Sequence, residues 1–255
     1  MSAPKPFAPT EIQRRLRRLQ AAQRQQRLDA LLVTTEINRF YFTGLTTSNG
    51  MLLSERGAPP AFYTDFRYLT MARRAAPWLP SHLLWRPALE PEVVAGMGRG
   101  WRRVGYEGSM PASRFLKLQA ALPDVEWVNA TALIQELRAV KSPEEQRRMR
   151  AAISANDRLF AETLRQTAPG MSEWAISAVV RREAERLGQG EAFSAIACAG
   201  RSAAECHHQP GDTVLRRGQP LLADLGLKLD HVCADMTRCV SFGPPTPLWR
   251  EIYRI

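Results

Sequence analysis

Lysine is nearly missing from this chain. Of its 35 cationic side chains only 4 are lysines, and the rest are arginines. Histidine is as sparse (His82, His207, His208, His231), and so is cysteine (Cys198, Cys206, Cys233, Cys239). The cysteines all lie in the last quarter and form no C-x-x-C pair, which excludes a zinc finger. They are expected to be reduced and packed as small hydrophobes. No apolar run reaches the roughly eighteen residues of a membrane-spanning helix. The N-terminus "MSAPKPFAPTEIQRRLRRLQ" has no apolar core after its charges, so it does not read as a secretory signal, and the cytoplasm is the expected compartment. The arginines are spread among acids and have no run of aromatics between them on which bases would stack, so nucleic acid is not the expected partner.

The net charge of +10 is uneven. Residues 1–130 hold 18 basic and 10 acidic side chains, and residues 131–255 hold 17 and 15. The first part reads as an α/β domain. "TEIQRRLRRLQAAQRQQR" is a helix with Thr10 as cap and its arginines on the solvent face. "DALLVTT", "RFYFTG", "GMLLSE" and "PAFYTD" read as strands. "FRYLTMARRAA" is helical, "HLLWR" and "RRVGYEG" are strands with a weak helix between them, "ASRFLKLQAALP" is helical and "VEWVNA" a strand.

From residue 133 the order changes. Ser142, Pro143 and Glu145 make a capping box for a long amphipathic helix. Ser172 caps a second helix, which Gly188 stops. The period then becomes two, through "AFSAIACAG", "QPLLADLGLK" and "HVCADMTRCVSFG". Helices followed by antiparallel strands indicate an α+β domain. The expected division is 1–132 and 133–255.

The stretch "LLADLGLKLDHVCADMTR" (221–238) places two aspartates among apolar residues. With the hairpin turn centred between Leu229 and Asp230, Asp224 and Asp235 would face each other, with Cβ atoms about 4.5–5.5 Å apart. Two carboxylates at that spacing repel unless one protonates or a cation lies between them. Two metal ions bridged by carboxylates make sense of the pair, although spacing alone also accommodates two water-facing edge residues. His207, in the loop "AECHHQPGD", is the candidate for proton transfer or for holding a substrate carbonyl. A surface loop histidine is its bland counterpart.

The segments "VKSPEEQRRMRAA", "APGMSE", "AECHHQPGD", "LLADLGLKLDHVCADMTR" and "WREIY", in this order and spacing, resemble the catalytic domain of Xaa-Pro aminopeptidases and prolidases, the pita-bread metallopeptidases. "LLVTTEINRFYFTGLTTSNGMLLSE" and "FYTDFRYLTMA" resemble their creatinase-type N-terminal domain. The resemblance implies cleavage of the bond before proline in Xaa-Pro peptides, at a site of two divalent ions (manganese, cobalt or zinc). It implies Asp224 and Asp235 as metal ligands, His207 as the catalytic loop histidine and Thr237 as the support behind the metal site. Metals in such a site lower the pKa of bound water and polarise the carbonyl. A homodimer is implied as well.

The sequence departs from that pattern. A metal-binding histidine, two metal-binding glutamates and a second catalytic histidine have no counterparts here. His231 and Val232 stand where a glycine and an aromatic are usual. "PTPLWREIYRI" begins a helix, with Thr246 as cap and Pro247 in first position, that is marginal without packing partners. These features lead to the expectation of a C-terminally truncated or partial chain that binds metal weakly and hydrolyses nothing measurable. The alternative is a non-catalytic pita-bread relative that serves as a binding module for protein or nucleic acid. Creatine- and methionine-type relatives fit less well, because the aspartate pair and the N-terminal domain are both present.

Overall fold

The computed structural model describes residues 4–84, 94, 96–97 and 100–254. It divides into two compact units, one of Phe7–Lys141 and one of Ser142 onward together with the stretch ending at Pro6. The sequence-based division at 132/133 differs from this by one helix, Thr131–Ala139. That helix buries Ile134 in the core of the first unit, with Leu133 and Leu137 packed beside it.

The first unit is built on a six-stranded sheet of β1 (Ala30–Val33), β2 (Met51–Glu55), β3 (Ala61–Thr64), β4 (Ser81–Leu83), β5 (Arg103–Tyr106) and β6 (Glu126–Asn129), in the order β4-β3-β2-β1-β5-β6. β1 runs antiparallel to β2 and parallel to β5. Its four residues are all buried, because the sheet is covered on both faces. Leu31 and Val33 join one cluster with Ile12, Leu16, Leu19 and Phe42, while Ala30 and Leu32 join the other with Met51, Val104 and Leu118. The α/β reading of this part stands.

Two local readings change. "RFYFTG" lies in a helix, Glu36–Thr43, not a strand. Gly44 closes it in the left-handed conformation at φ 72°, where a residue without a Cβ is at ease. The first helix, Pro9–Gln25, takes Ala8 as its cap residue and Pro9 at its first position, so Thr10 lies inside it. Nor do all its arginines face water. Arg15 is 1% exposed, donates to Glu11 and to the Tyr41 carbonyl, and lies 4.2 Å from the centres of the Phe7 and Tyr41 rings. The weak helix expected between "HLLWR" and "RRVGYEG" falls largely outside the described residues.

The second unit is α+β. Helices Pro143–Gln166 and Glu173–Leu187 cover one face of an antiparallel sheet formed by β7 (Ile196–Ala199), β8 (Pro220–Leu225) and β11 (Met236–Ser241), in the order β11-β8-β7. The capping box of Ser142 and Glu145 is present in full. Ser172 caps the second helix, and Gly188 follows its last residue. Ala155, Leu159, Val180 and Ala184 from the helices pack on Ala223 and Leu225 from β8. Between β8 and β11, β9 (Lys228–Leu229) and β10 (Val232–Cys233) extend the hairpin. Thr246 caps the short helix Pro247–Ile252, and its hydroxyl accepts from Trp249 N–H. Among the described residues no helix is long and apolar enough to cross a membrane.

Candidate metal centre

On β8, Leu221, Ala223 and Leu225 are buried toward the helices, while Leu222 and Asp224 alternate onto the opposite, more open face. In the row through Asp224, its neighbours are Ile196 on β7 and Thr237 on β11. Thr237 donates its hydroxyl to Asp224 Oδ1 at 2.8 Å. The half-buried carboxylate thus has one oxygen engaged by a neutral donor.

The expected pairing of Asp224 with Asp235 is not the one that forms. Thr237 stands opposite Asp224, and the same offset holds to the tip, where Val232 pairs with Leu229 and Cys233 with Lys228. The turn is centred one position later, between Asp230 and His231, which both take left-handed backbone conformations at φ 47° and 68°. Successive positive-φ residues are the mark of the mirror-image turn whose twist matches a hairpin. Asp235 falls just before β11 and is exposed. It is two residues from Asp224's partner, so parity keeps both acids on the same side of the hairpin, on a diagonal.

Two residues hold this bend in shape. At Gly226 a Cβ would lie 2.1 Å from the Ala234 carbonyl oxygen, so only glycine allows the strands to approach there. Asn156, 2% exposed, reaches from the long helix; its Oδ1 accepts from Leu227 N–H at 3.2 Å and its Nδ2 donates to the Leu225 carbonyl at 3.4 Å. Beside the bend lies a cleft of about 390 Å³ lined by Asn156, Asp157, Asp235, Thr237 and Arg238 among others.

His207 is exposed and makes no side-chain hydrogen bond in its loop. Its neighbour His208 is the anchored histidine. Nε2 of His208 meets Glu173 Oε2 at 2.7 Å, and Nδ1 meets Glu205 Oε2 at 3.0 Å. These two carboxylates raise the His208 pKa, Glu173 more than Glu205. Burial pushes the Glu173 carboxyl up, but donors from Ala199, His208, Gly211 and Ser202 outweigh it and hold the carboxyl below its ordinary value. Sequence reasoning passes over Glu173, although it stands in "APGMSE", and singles out His207 in place of His208. A cap followed by a carboxylate in the first turn was the available signal.

The cysteines only partly follow expectation. Cys198 is buried, and its thiol is pushed up to about 11, first by burial and then by the charges of Glu173, Glu205 and Asp224. Cys206, Cys233 and Cys239 are exposed rather than packed.

The donors on the hairpin, two aspartates, suit a hard divalent ion in kind. They fall short in number. Among the described residues no three His, Cys, Asp or Glu side chains gather as a metal-holding group.

Two family models match this architecture. The creatinase/prolidase N-terminal domain matches residues 15–140, and metallopeptidase family M24 matches residues 147–255. The chain belongs to the M24 metallopeptidases that carry a creatinase/prolidase N-terminal domain, and its second unit has the pita-bread fold type. An uncharacterized peptidase of Bacillus subtilis is 27% identical over 230 residues, which cover 89% of this chain and 65% of that protein. The Xaa-Pro dipeptidase from Bacillus anthracis superposes with a TM-score of 0.87 at 26% identity, covering 95% of this chain and 68% of that one. The X-Pro aminopeptidase from Thermotoga maritima gives 0.80 at 25% identity, covering 92% and 68%. The chain thus spans about 65% of the length of the curated relative described here.

Proposed function

We propose that this chain carries part of the metal centre of a peptidase that cleaves the bond before proline in Xaa-Pro peptides. Asp224 and Asp235 are the metal ligands, Thr237 orients Asp224, and His207 is the loop group for proton transfer. The observation that supports this best is the Thr237–Asp224 hydrogen bond. A ligand carboxylate with a fixed outer partner presents its free oxygen in one orientation. The names of the Bacillus anthracis and Thermotoga maritima proteins support the choice of proline-containing peptides.

A divalent ion held there supplies a low-pKa water and a polarised carbonyl. Two carboxylates alone hold such an ion weakly, so the 255-residue chain is expected to bind Mn²⁺ weakly and to leave Ala-Pro uncleaved. Manganese titration of the chain beside Asp224→Asn and Asp235→Asn variants tests the assignment. Weak binding that both variants lose is the expected result. Equal binding by all three would remove both aspartates from the site. Ala-Pro turnover by this chain with added Mn²⁺ would overturn the expectation of inactivity. A homodimer belongs to the same proposal and rests on the family resemblance; a cytoplasmic location belongs to it too and rests on the reading of the N-terminal sequence. A separate role as a protein- or RNA-binding module is not favoured, since the named relatives are peptidases.

A further inference from the structure

The loop that presents His207 runs from the end of β7 through a turn of 3-10 helix, Gly200–Ala204, to Gly211. One side chain outside it touches it at its start, its middle and its exit. Glu173, the first residue of its helix and fully buried, accepts from Ala199 N–H at 2.8 Å where the loop begins. It meets His208 Nε2 at 2.7 Å in the middle and accepts from Gly211 N–H at 3.1 Å at the exit. The exit is also tied through backbone bonds, Glu173 N–H to the Thr213 carbonyl and Trp174 N–H to the Gly211 carbonyl. In the middle the hold comes from side chains: Ser202 donates to Glu173, and His208 is gripped from the other side by Glu205 at 3.0 Å. His207 directly precedes His208 and makes no side-chain hydrogen bond of its own among the described residues.

We propose that Glu173 is a positioning residue: its buried carboxylate, acting through His208, fixes the loop so that His207 presents its ring at a set place beside the hairpin of Asp224 and Asp235. The consequence for catalysis rests on the peptidase reading, while the anchoring itself does not. A carboxylate is the group this requires, because every approaching group donates and it offers only acceptors. Glutamine would turn an N–H₂ toward one of those donors. His208 supplies the charge-assisted contact, and Glu173 and Glu205 are the two carboxylates that face it.

The test compares the unmodified chain with Glu173→Gln and, because a buried substitution can disturb folding, with His208→Ala, which leaves Glu173 intact. Amide hydrogen exchange in residues 200–208 is expected to speed up about tenfold or more in both variants, while amides of β8 keep their protection. In histidine NMR titrations of the unmodified chain, His208 is expected to titrate above the ordinary imidazole value, and in Glu173→Gln this elevation is expected to shrink. Unchanged loop exchange in both variants would overturn the proposal. So would equal loss of protection across loop and β8, or a His208 that titrates at the ordinary imidazole value in the unmodified chain. None of these measurements uses turnover or metal, so a failed Mn²⁺ titration counts against the reading of Asp224 and Asp235 and leaves the loop result standing.

Discussion

Thr237 faces Asp224 across the β8–β11 ladder and donates its hydroxyl to the carboxylate at 2.8 Å. The bond lies on the open side of the sheet with Thr237 exposed, so water replaces it readily when it is lost. Thr237→Val is therefore expected to cost less than about 1 kcal/mol of stability by urea denaturation. Its effect on Mn²⁺ affinity is expected to be larger, about tenfold or more, because the ligand loses its orienting partner. Unchanged affinity in Thr237→Val would end the supporting role given to this threonine.

The hairpin tip gives a second expectation. His231 sits at φ 68° and Asp230 at φ 47°, in a turn where Asp-Gly is the favoured pair. A non-glycine residue in the left-handed region is strained, and glycine is not. His231→Gly is expected to stabilise the chain by about 0.5–1 kcal/mol, read as a higher urea midpoint. A lower midpoint would show that the His231 ring contributes more to the fold than its backbone costs.

The same tip explains the one serious misreading of the sequence. Helix starts at Ser142, Ser172 and Thr246 were legible, because each cap is a local bond between a side chain and a nearby N–H. The alternation of β8 was legible too, as was Asp224 on its open face. The register was not. It depends on where the turn falls, and "LDHV" contains no Asn-Gly to mark it, so the turn was placed one residue early. "RFYFTG" failed for a different reason. Its aromatics favour a strand locally, and the packing of Tyr41 and Phe42 beneath the first helix decides for a helix. Glu173 was missed because its partners lie 26 to 38 residues away, beyond any spacing argument.

The capping box provides a test of local energetics. Ser142 is 3% exposed; its hydroxyl accepts from Glu145 N–H at 3.1 Å, and Glu145 Oε2 accepts from Ser142 N–H at 2.9 Å. Ser142→Ala leaves a helix N–H without its partner and is expected to cost about 1 kcal/mol, with Ser142→Asp recovering most of it. Equal stability of the alanine and aspartate variants would show that the cap contributes nothing measurable.

Acid titration of Asp65 completes the set. This residue caps helix Phe66–Ala75, is 1% exposed, and receives Arg67 side-chain donors at 3.1 and 2.8 Å and Asn49 Nδ2 at 2.9 Å. The Arg67 guanidinium, with help from Asn49 and the Arg67 N–H, outweighs burial and holds the carboxyl at about 2. The folded value lies below the unfolded one of about 3.9. The ionised carboxylate therefore stabilises the fold above about pH 4, and that contribution is lost as the pH falls toward 2. At neutral pH it amounts to about 2 kcal/mol. Urea denaturation between pH 2 and about 5 is expected to show the unmodified chain losing stability faster than Asp65→Asn as the pH drops, with the two curves converging near the acid end. Parallel curves across that range would mean that Asp65 keeps an ordinary carboxyl in the folded chain.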